Sequence, residues 1–336
     1  MTTEYFRPLP RSGPRPVSAL ILAGGSLWFD TFVRLSRNAP EEIVPVSDCP
    51  TQVLERLTAA RAPIAGCDMS RPNLMGILNV TPDSFSDGGR YLEPDAAVAQ
   101  ARLMQESGAE IIDVGGESTR PGAETVDVAE EIKRVQPPIS AISEEMSTPV
   151  SIDTRKAAVA EAALDAGATI VNDVSGFTFD PALAALCAAR NVPVCVMHAQ
   201  GDPQTMQRDP QYENVLLDVY DFLSERIESL VAQGIARSQI IIDPGIGFGK
   251  TLEHNLTLLR NLSLFHTLGC PVLLGASRKR FIGTISGADI ADTRMPGSVA
   301  IALHAMMQGI QIIRVHDVAE TRQAFALWRA VEFGEL

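Results

Sequence analysis

Met75-Gly-Ile-Leu-Asn-Val-Thr-Pro-Asp-Ser-Phe-Ser-Asp-Gly-Gly89 decides how this chain is read. It opens as an apolar run of strand length and breaks, at Asn79, into a polar loop punctuated by Pro82 and Gly88-Gly89. Tyr91-Leu-Glu-Pro94 then leads into a helical pattern. A buried strand that ends in Asn, Thr, Asp and Ser is a plan for a site at a strand end. The same plan recurs downstream. Apolar strand candidates lie at 75–80, 110–114, 149–152, 169–172, 192–197, 239–242, 271–275 and 310–315. Helical patterns separate them, for instance at 95–107, 156–166, 215–233, 252–268 and 298–308, and a last helix runs over 318–331.

Strands apolar on both faces, alternating with helices, make a parallel sheet. Eight such units from residue 75 to the end predict an α/β (β/α)8 TIM barrel, a fold of ~250 residues. A doubly wound open sheet is the alternative, but it gathers its site at one crevice. Here polar residues follow nearly every strand.

Residues 1–72 read as a small N-terminal α/β extension, distinct from the barrel at 73–336. Pro8, Pro10, Pro14 and Pro16 mark an irregular arm. Stretches 17–23 and 27–35 flank Gly24-Gly25-Ser26 as a hairpin, 43–46 adds a strand, and Thr51 caps a helix through residue 60. No constellation in this part suggests chemistry.

The 336 residues carry a net charge of −13, which argues against non-specific nucleic-acid binding. An anionic substrate would need locally concentrated positive contacts. The five cysteines, Cys49, Cys67, Cys187, Cys195 and Cys270, form no C-x-x-C pair and read as reduced thiols of a cytoplasmic protein. No run approaches the ~20 apolar residues of a membrane span. The stretch 17–28 is broken by Gly24-Gly25, so it reads as a hairpin rather than a signal peptide.

The residues at the strand ends are Asn79, Asp113, Asp153, Asn172, His198, Asp243, Ser277-Arg278-Lys279 and His316. In a barrel these ends converge at one mouth. Each carboxylate by itself has a bland reading as a helix cap; eight capping accidents together are a poor explanation. Asp153, Asn172 and Asp243 suit a flat heterocycle with N–H donors along one edge, because a carboxylate accepts two parallel N–H bonds. Lys279 can donate to the acceptors of such a ring. Arg314 and His316 stand two apart and point to the same side. With Asn79 they suit an anionic group such as a phosphate. The competing reading pairs Arg314 with Asp317 or another neighbour.

Asp243-Pro-Gly-Ile-Gly-Phe-Gly-Lys-Thr251 invites a P-loop reading, which fails because that motif needs glycine where Pro244 stands. Its glycines instead give a tight turn, with Phe248 as an apolar wall. The histidines lack zinc spacing. His254, His266 and His304 read as structural or surface residues, and His198 as either a pocket residue or a satisfied strand-end group.

Taken in order, these motifs closely resemble the dihydropteroate synthase family of pterin-binding TIM barrels. The 75–89 stretch resembles the family's first signature, and Gly108-Ala-Glu-Ile-Ile-Asp-Val-Gly-Gly-Glu-Ser-Thr-Arg-Pro121 resembles its second. Ser151-Ile-Asp-Thr154, Ile170-Val-Asn-Asp173, Asp243-Pro-Gly, Gly275-Ala-Ser-Arg-Lys279 and Arg314-Val-His-Asp317 resemble the remaining blocks. The resemblance spans about residues 74–332. It implies condensation of 6-hydroxymethyl-7,8-dihydropterin diphosphate with 4-aminobenzoate, giving dihydropteroate and pyrophosphate for folate biosynthesis.

Carried over by motif, Asp153, Asn172, Met197, Asp243, Gly275 and Lys279 would line the pterin pocket. Asn79, Arg314 and His316 would hold the diphosphate, with Asn79 on Mg²⁺. Phe85, Thr119, Arg120, Pro121, Phe248 and Arg280 would shape the 4-aminobenzoate site, where sulfonamides bind in the family. Asp87, Arg120, Lys279, Arg314 and His316 would carry the catalysis, Asp87 from a loop that closes. Arg280 stands where many members have serine. The resemblance further implies a homodimer formed through late helices, small-molecule substrates, and no nucleic-acid or membrane partner. Two other readings remain. One is a methyltetrahydrofolate:corrinoid methyltransferase, which has no need of the Ser-Thr-Arg-Pro loop or a diphosphate site. The other is a non-catalytic pterin-binding paralogue, which would have lost some of these residues.

Overall fold

The computed structural model describes residues 4–81, 94–118, 125–201 and 206–334. Eight parallel strands form from short apolar runs: β6 (Asn73–Asn79), β7 (Ile111–Gly115), β8 (Val150–Asp153), β9 (Ile170–Asp173), β10 (Val194–Met197), β11 (Ile240–Asp243), β12 (Leu273–Gly275) and β13 (Ile312–Val315). Each falls within two or three residues of its expected place. They form one sheet in the order β11-β10-β9-β8-β7-β6-β13-β12, and a parallel bridge between Ile242 and Val272 joins its two ends. The closed sheet is the expected (β/α)8 barrel, not the open alternative.

The helices between the strands are α2 (Pro94–Glu106), α3 (Val128–Glu145), α4 (Ala157–Asp165), α5 (Ala182–Arg190), α6 (Val215–Ala232), α7 (Leu252–Arg260), α8 (Arg280–Ser286), α9 (Met295–Met307) and α10 (Val318–Phe333). Their apolar faces pack on the outside of the barrel, where Val114, Ile152, Val171, Val196, Ile242 and Ile313 belong to one continuous core. The single helix expected over 252–268 is divided. It is α-helical to Arg260, and a 3-10 helix, Leu262–Leu268, follows after Asn261. A 3-10 turn keeps nearly the same apolar spacing, so the sequence pattern did not separate the two.

Residues 4–72 build more structure than expected. β1 (Glu4–Pro8), read from sequence as an irregular arm, pairs antiparallel with β4 (Thr31–Ser36), and β4 pairs with β5 (Glu42–Pro45). The hairpin about Gly24-Gly25 forms through β2 (Leu20–Ile21) and β3 (Trp28–Phe29). Helix α1 (Thr51–Thr58) has Pro50 at its N-cap, so Thr51 is its first residue and not its cap. The segment after α1 enters the barrel's N-terminal end. Ile64, Cys67 and Met69 pack against the inward-facing Met75, Ile111, Ile170, Cys195, Ile241, Leu273 and Ile312. Arg61 donates to the His266 carbonyl at 3.0 Å, and Ser263 Oγ donates to the Pro8 carbonyl at 2.8 Å, tying the extension to the barrel wall. All five cysteines are buried and unbridged. Among the described residues no helix is long and apolar enough to cross a membrane.

Candidate active site

The C-terminal ends of the barrel strands bring the expected polar residues to one mouth. Neighbouring strands in register set adjacent ends side by side: Gly115 beside Asp153, Asp153 beside Asn172, Met197 beside Asp243, and Gly275 beside Arg314. Two glycines leave room between these groups. A Cβ on Gly115 would stand 3.7 Å from Asn79 Oδ1 and 3.8 Å from Asp153 Oδ2. One on Gly275 would stand 3.7 Å from Asp243 Oδ2 and 3.8 Å from Arg314 Cδ. A Cβ at either position would make ordinary van der Waals contacts with the floor groups.

Arg314 crosses that floor. Its Nε donates to Asp113 Oδ2 at 2.6 Å and one terminal nitrogen donates to Asp153 Oδ2 at 2.9 Å. Of the competing reading, the pairing with Asp317 does not occur, but Arg314 is indeed held in ion pairs, with Asp113 and Asp153. Asp317 is taken by Arg278, at 2.5 and 3.1 Å. Asp113 is fully buried and also faces Asn172 Nδ2 at 3.3 Å. The other carboxylate oxygen of Asp153, Oδ1, is buried with no hydrogen-bond partner among the described residues. A buried acceptor without a donor is costly. Its natural complement is an N–H group of a ligand.

Burial pushes the Asp153 carboxyl up to about 7, against the opposing pull of Arg314. Asp243 is likewise raised by burial and partly held down by Lys279 and by the Gly245 N–H, which donates to its Oδ1 at 2.7 Å. Burial lowers Lys279 to about 8, with Asp243 acting in the other direction. The Lys279 ammonium donates to the Ile246 carbonyl and lies 4.6 Å from the centre of the Phe248 ring. For Arg314, burial works against the charge, but Asp113 and Asp153 outweigh it and raise the guanidinium.

His316 stands at the rim, where Ser277 Oγ meets both its Nδ1 (3.0 Å) and its backbone N–H (3.2 Å). Arg280 is exposed at the first turn of α8, next to Lys279. Met197 is buried at the end of β10. Asn79 is half-buried at the end of β6. Phe85, Asp87, Thr119, Arg120 and Pro121 lie outside the described residues. His198 is buried behind the Asp243–Thr251 turn, its ring edge-on to Phe222 at 4.8 Å. Two residues have structural tasks that the sequence reading did not give them: Asp113, which orients Arg314, and Ser277, which fixes His316. The available signal for Asp113 was one carboxylate in an otherwise apolar strand.

Mg²⁺ can be tested against this floor. Among the described residues no group of three or more His, Cys, Asp or Glu side chains is placed to hold a metal. Magnesium, however, keeps several waters and is usually held by one or two protein oxygens plus substrate phosphates. The Asn79 carboxamide oxygen, beside the open space over Gly115, fits that mode.

The sequence model of the family described as pterin binding enzyme matches residues 75–316. A dihydropteroate synthase of Synechocystis sp. is 48% identical over 263 residues, covering 77% of this chain and 91% of its own length. A solved structure of Xanthomonas albilineans dihydropteroate synthase with 4-aminobenzoic acid superposes with a TM-score of 0.76 at 44% identity, over 81% of this chain and 98% of that one. The Yersinia pestis dihydropteroate synthase in a sulfonamide drug complex gives a TM-score of 0.75 at 46% identity, over 79% and 95%. A barrel whose strand ends carry this polar set, and whose sequence matches at this level, belongs to the pterin binding enzyme family, among the dihydropteroate synthases.

Proposed function

We propose that the chain condenses 6-hydroxymethyl-7,8-dihydropterin diphosphate with 4-aminobenzoate, giving dihydropteroate and pyrophosphate. One observation carries the reading: Asp153 Oδ1 is buried without a partner among the described residues, on a floor shared with Asn172 and Asp243. The pterin's amino-pyrimidine edge supplies the missing N–H donors. Asp153, Asn172 and Asp243 hold that edge, Met197 and Gly275 border it, and Lys279 donates to the ring's acceptors.

The reaction breaks the C–O bond between the pterin methylene and the diphosphate, whose oxygen leaves with the electron pair. The aniline nitrogen forms the new C–N bond and releases its proton to solvent or to the departing pyrophosphate. An electron-rich pterin stabilises cationic character at the methylene, so the site has two electrostatic tasks. His316 and Arg314 face the developing charge of the leaving group. Carboxylates face the cationic methylene, Asp87 among them on the strength of the resemblance. When bound, Mg²⁺ held at Asn79 supplies positive charge to the diphosphate. Phe248, with Phe85, Thr119, Arg120, Pro121 and Arg280, surrounds the 4-aminobenzoate. Closing that end excludes water, which would otherwise capture the methylene.

The exposed Leu327 and Val331 on α10, with Met307 on α9, support a homodimer through the late helices. The buried, unbridged cysteines support a reducing cytoplasmic setting. Pyrophosphate release on mixing the two substrates tests the reaction. Methyl transfer from methyltetrahydrofolate without pyrophosphate release would instead point to the corrinoid methyltransferase. Calorimetric pterin binding without turnover would point to a non-catalytic binder.

A further inference from the structure

The turn after β11 contains a lysine for which the reaction above has no task. Lys250 is 3% exposed and makes no ion pair among the described residues. Its Nζ lies 2.9 Å from His198 Nδ1 and donates to the carbonyls of Phe248 (3.0 Å) and His198 (3.3 Å). A buried amine with no carboxylate in hydrogen-bond contact, only the field of the nearby Asp243, is unfavourable unless its hydrogen bonds are made. Here all its contacts go to one turn and to the loop beneath it. Burial moves Lys250 well below the usual lysine range, and His198 well below the usual histidine range.

The backbone gripped by Lys250 tolerates little adjustment. Gly245 and Gly249 have φ of 69° and 61°. A Cβ would stand 1.9 Å from the His198 carbonyl oxygen at the first and 2.4 Å from the Gln200 carbonyl oxygen at the second. The turn therefore lies flat on the loop after β10, with no room for a side chain between them. Two further buried or half-buried groups bind it. Asn255 Oδ1 accepts the Gly247 N–H at 2.7 Å, and Tyr212 OH donates to the Gly249 carbonyl at 2.8 Å. On the mouth side of the same turn, the Phe248 ring faces the Lys279 ammonium, which donates to the Ile246 carbonyl. One side of the turn is anchored by Lys250 and the other side presents the aromatic wall.

We infer that Lys250 is a positioning residue for the second substrate: by binding the Phe248 and His198 carbonyls and the His198 ring, it holds Phe248 in place as the wall of the 4-aminobenzoate site. It touches neither substrate. This rests on the function proposed above. Part of the pterin floor has separate support, since Asp153 and Asn172 stand on β8 and β9 and pair with Arg314 and Asp113, whereas Asp243 and Lys279 touch the turn only through the Gly245 N–H and the Ile246 carbonyl. The two substrates should therefore respond differently when Lys250 is changed.

The test is steady-state pyrophosphate release by the full chain, each substrate varied in turn. Lys250→Met keeps the bulk and removes the three hydrogen bonds. It should raise the KM for 4-aminobenzoate by about tenfold or more and the pterin diphosphate KM by a clearly smaller factor, through Asp243 and Lys279. Lys250→Gln, which still offers two protons to the carbonyls, should recover most of that loss. Unchanged KM values for both substrates in the methionine variant, parallel increases in both, or a glutamine variant no better than methionine would each overturn the inference. Should Lys250→Met fail to fold, Tyr212→Phe removes only the bond to the Gly249 carbonyl. It should give a smaller rise confined to 4-aminobenzoate, and no selective rise in that variant overturns the inference too. A wild-type chain that releases no pyrophosphate would instead sink the proposed reaction, so the two failures are distinguishable.

Discussion

Asp113 and Arg314 meet at 2.6 Å, Oδ2 to Nε, from strands β7 and β13 that have β6 between them. The contact spans the barrel floor and sets the angle at which the guanidinium reaches Asp153. Breaking a buried pair by removing one partner leaves the other uncompensated. Asp113→Ala should therefore lower the unfolding free energy by about 3 kcal/mol, read from denaturant titration of the free protein. A midpoint and slope equal to those of the wild type would show that Arg314 needs no anchor.

The pH dependence follows from two shifted groups. In the proposed role Asp153 accepts pterin N–H groups as a carboxylate, and it protonates as pH falls through about 7. Lys279 donates as an ammonium, and it deprotonates as pH rises through about 8. Pterin affinity should peak between these values and fall by about tenfold per pH unit on the acid side. Arg314→Gln removes the cation that restrains Asp153, so the acid limb should move to higher pH. An acid limb that stays in place, measured by calorimetry across pH, would detach Asp153 from pterin binding.

Asp243→Ala should abolish pterin binding, since it removes a floor carboxylate with no nearby substitute. Arg314→Ala should weaken binding of the pterin diphosphate more than binding of a pterin lacking phosphates. Equal losses for the two ligands in parallel titrations would remove Arg314 from the diphosphate site.

Much of this was legible in the chain itself. The eight strands stood out because both faces of each are buried, leaving runs such as Ile240-Ile-Ile242 with no polar alternation. Their ends stood out because each run stops at a polar residue. What stayed hidden depends on contacts distant in sequence. Residues 4–8 pair with a strand that begins at Thr31, and nothing local in Glu4-Tyr-Phe-Arg-Pro8 announces a partner. Asp113 was visible as a strand-end acid, but its bond to Arg314 joins positions 201 residues apart. Lys250 resembled part of a phosphate loop, and only its burial shows that it faces away from the mouth.

The extension gives a further prediction. A chain beginning at Arg61 keeps Ile64, Cys67 and Met69 against the lower layer of the barrel, and one beginning at Arg71 loses them. Each large apolar side chain removed from a buried site costs about 2–5 kcal/mol. The shorter chain should therefore melt well below the longer one, or aggregate. Equal melting temperatures by scanning calorimetry would make the plug dispensable.

That plug has a kinetic meaning. With Ile64, Cys67 and Met69 packed on the inward side chains, the lower barrel is filled, and the polar floor faces the strand C-terminal ends. In the proposed arrangement the pterin rests on Asp153 and Asp243, and the amine sits over it against Phe248. With the sites assigned as proposed, ordered binding is the expected outcome, the pterin before the amine, and product-inhibition kinetics check it.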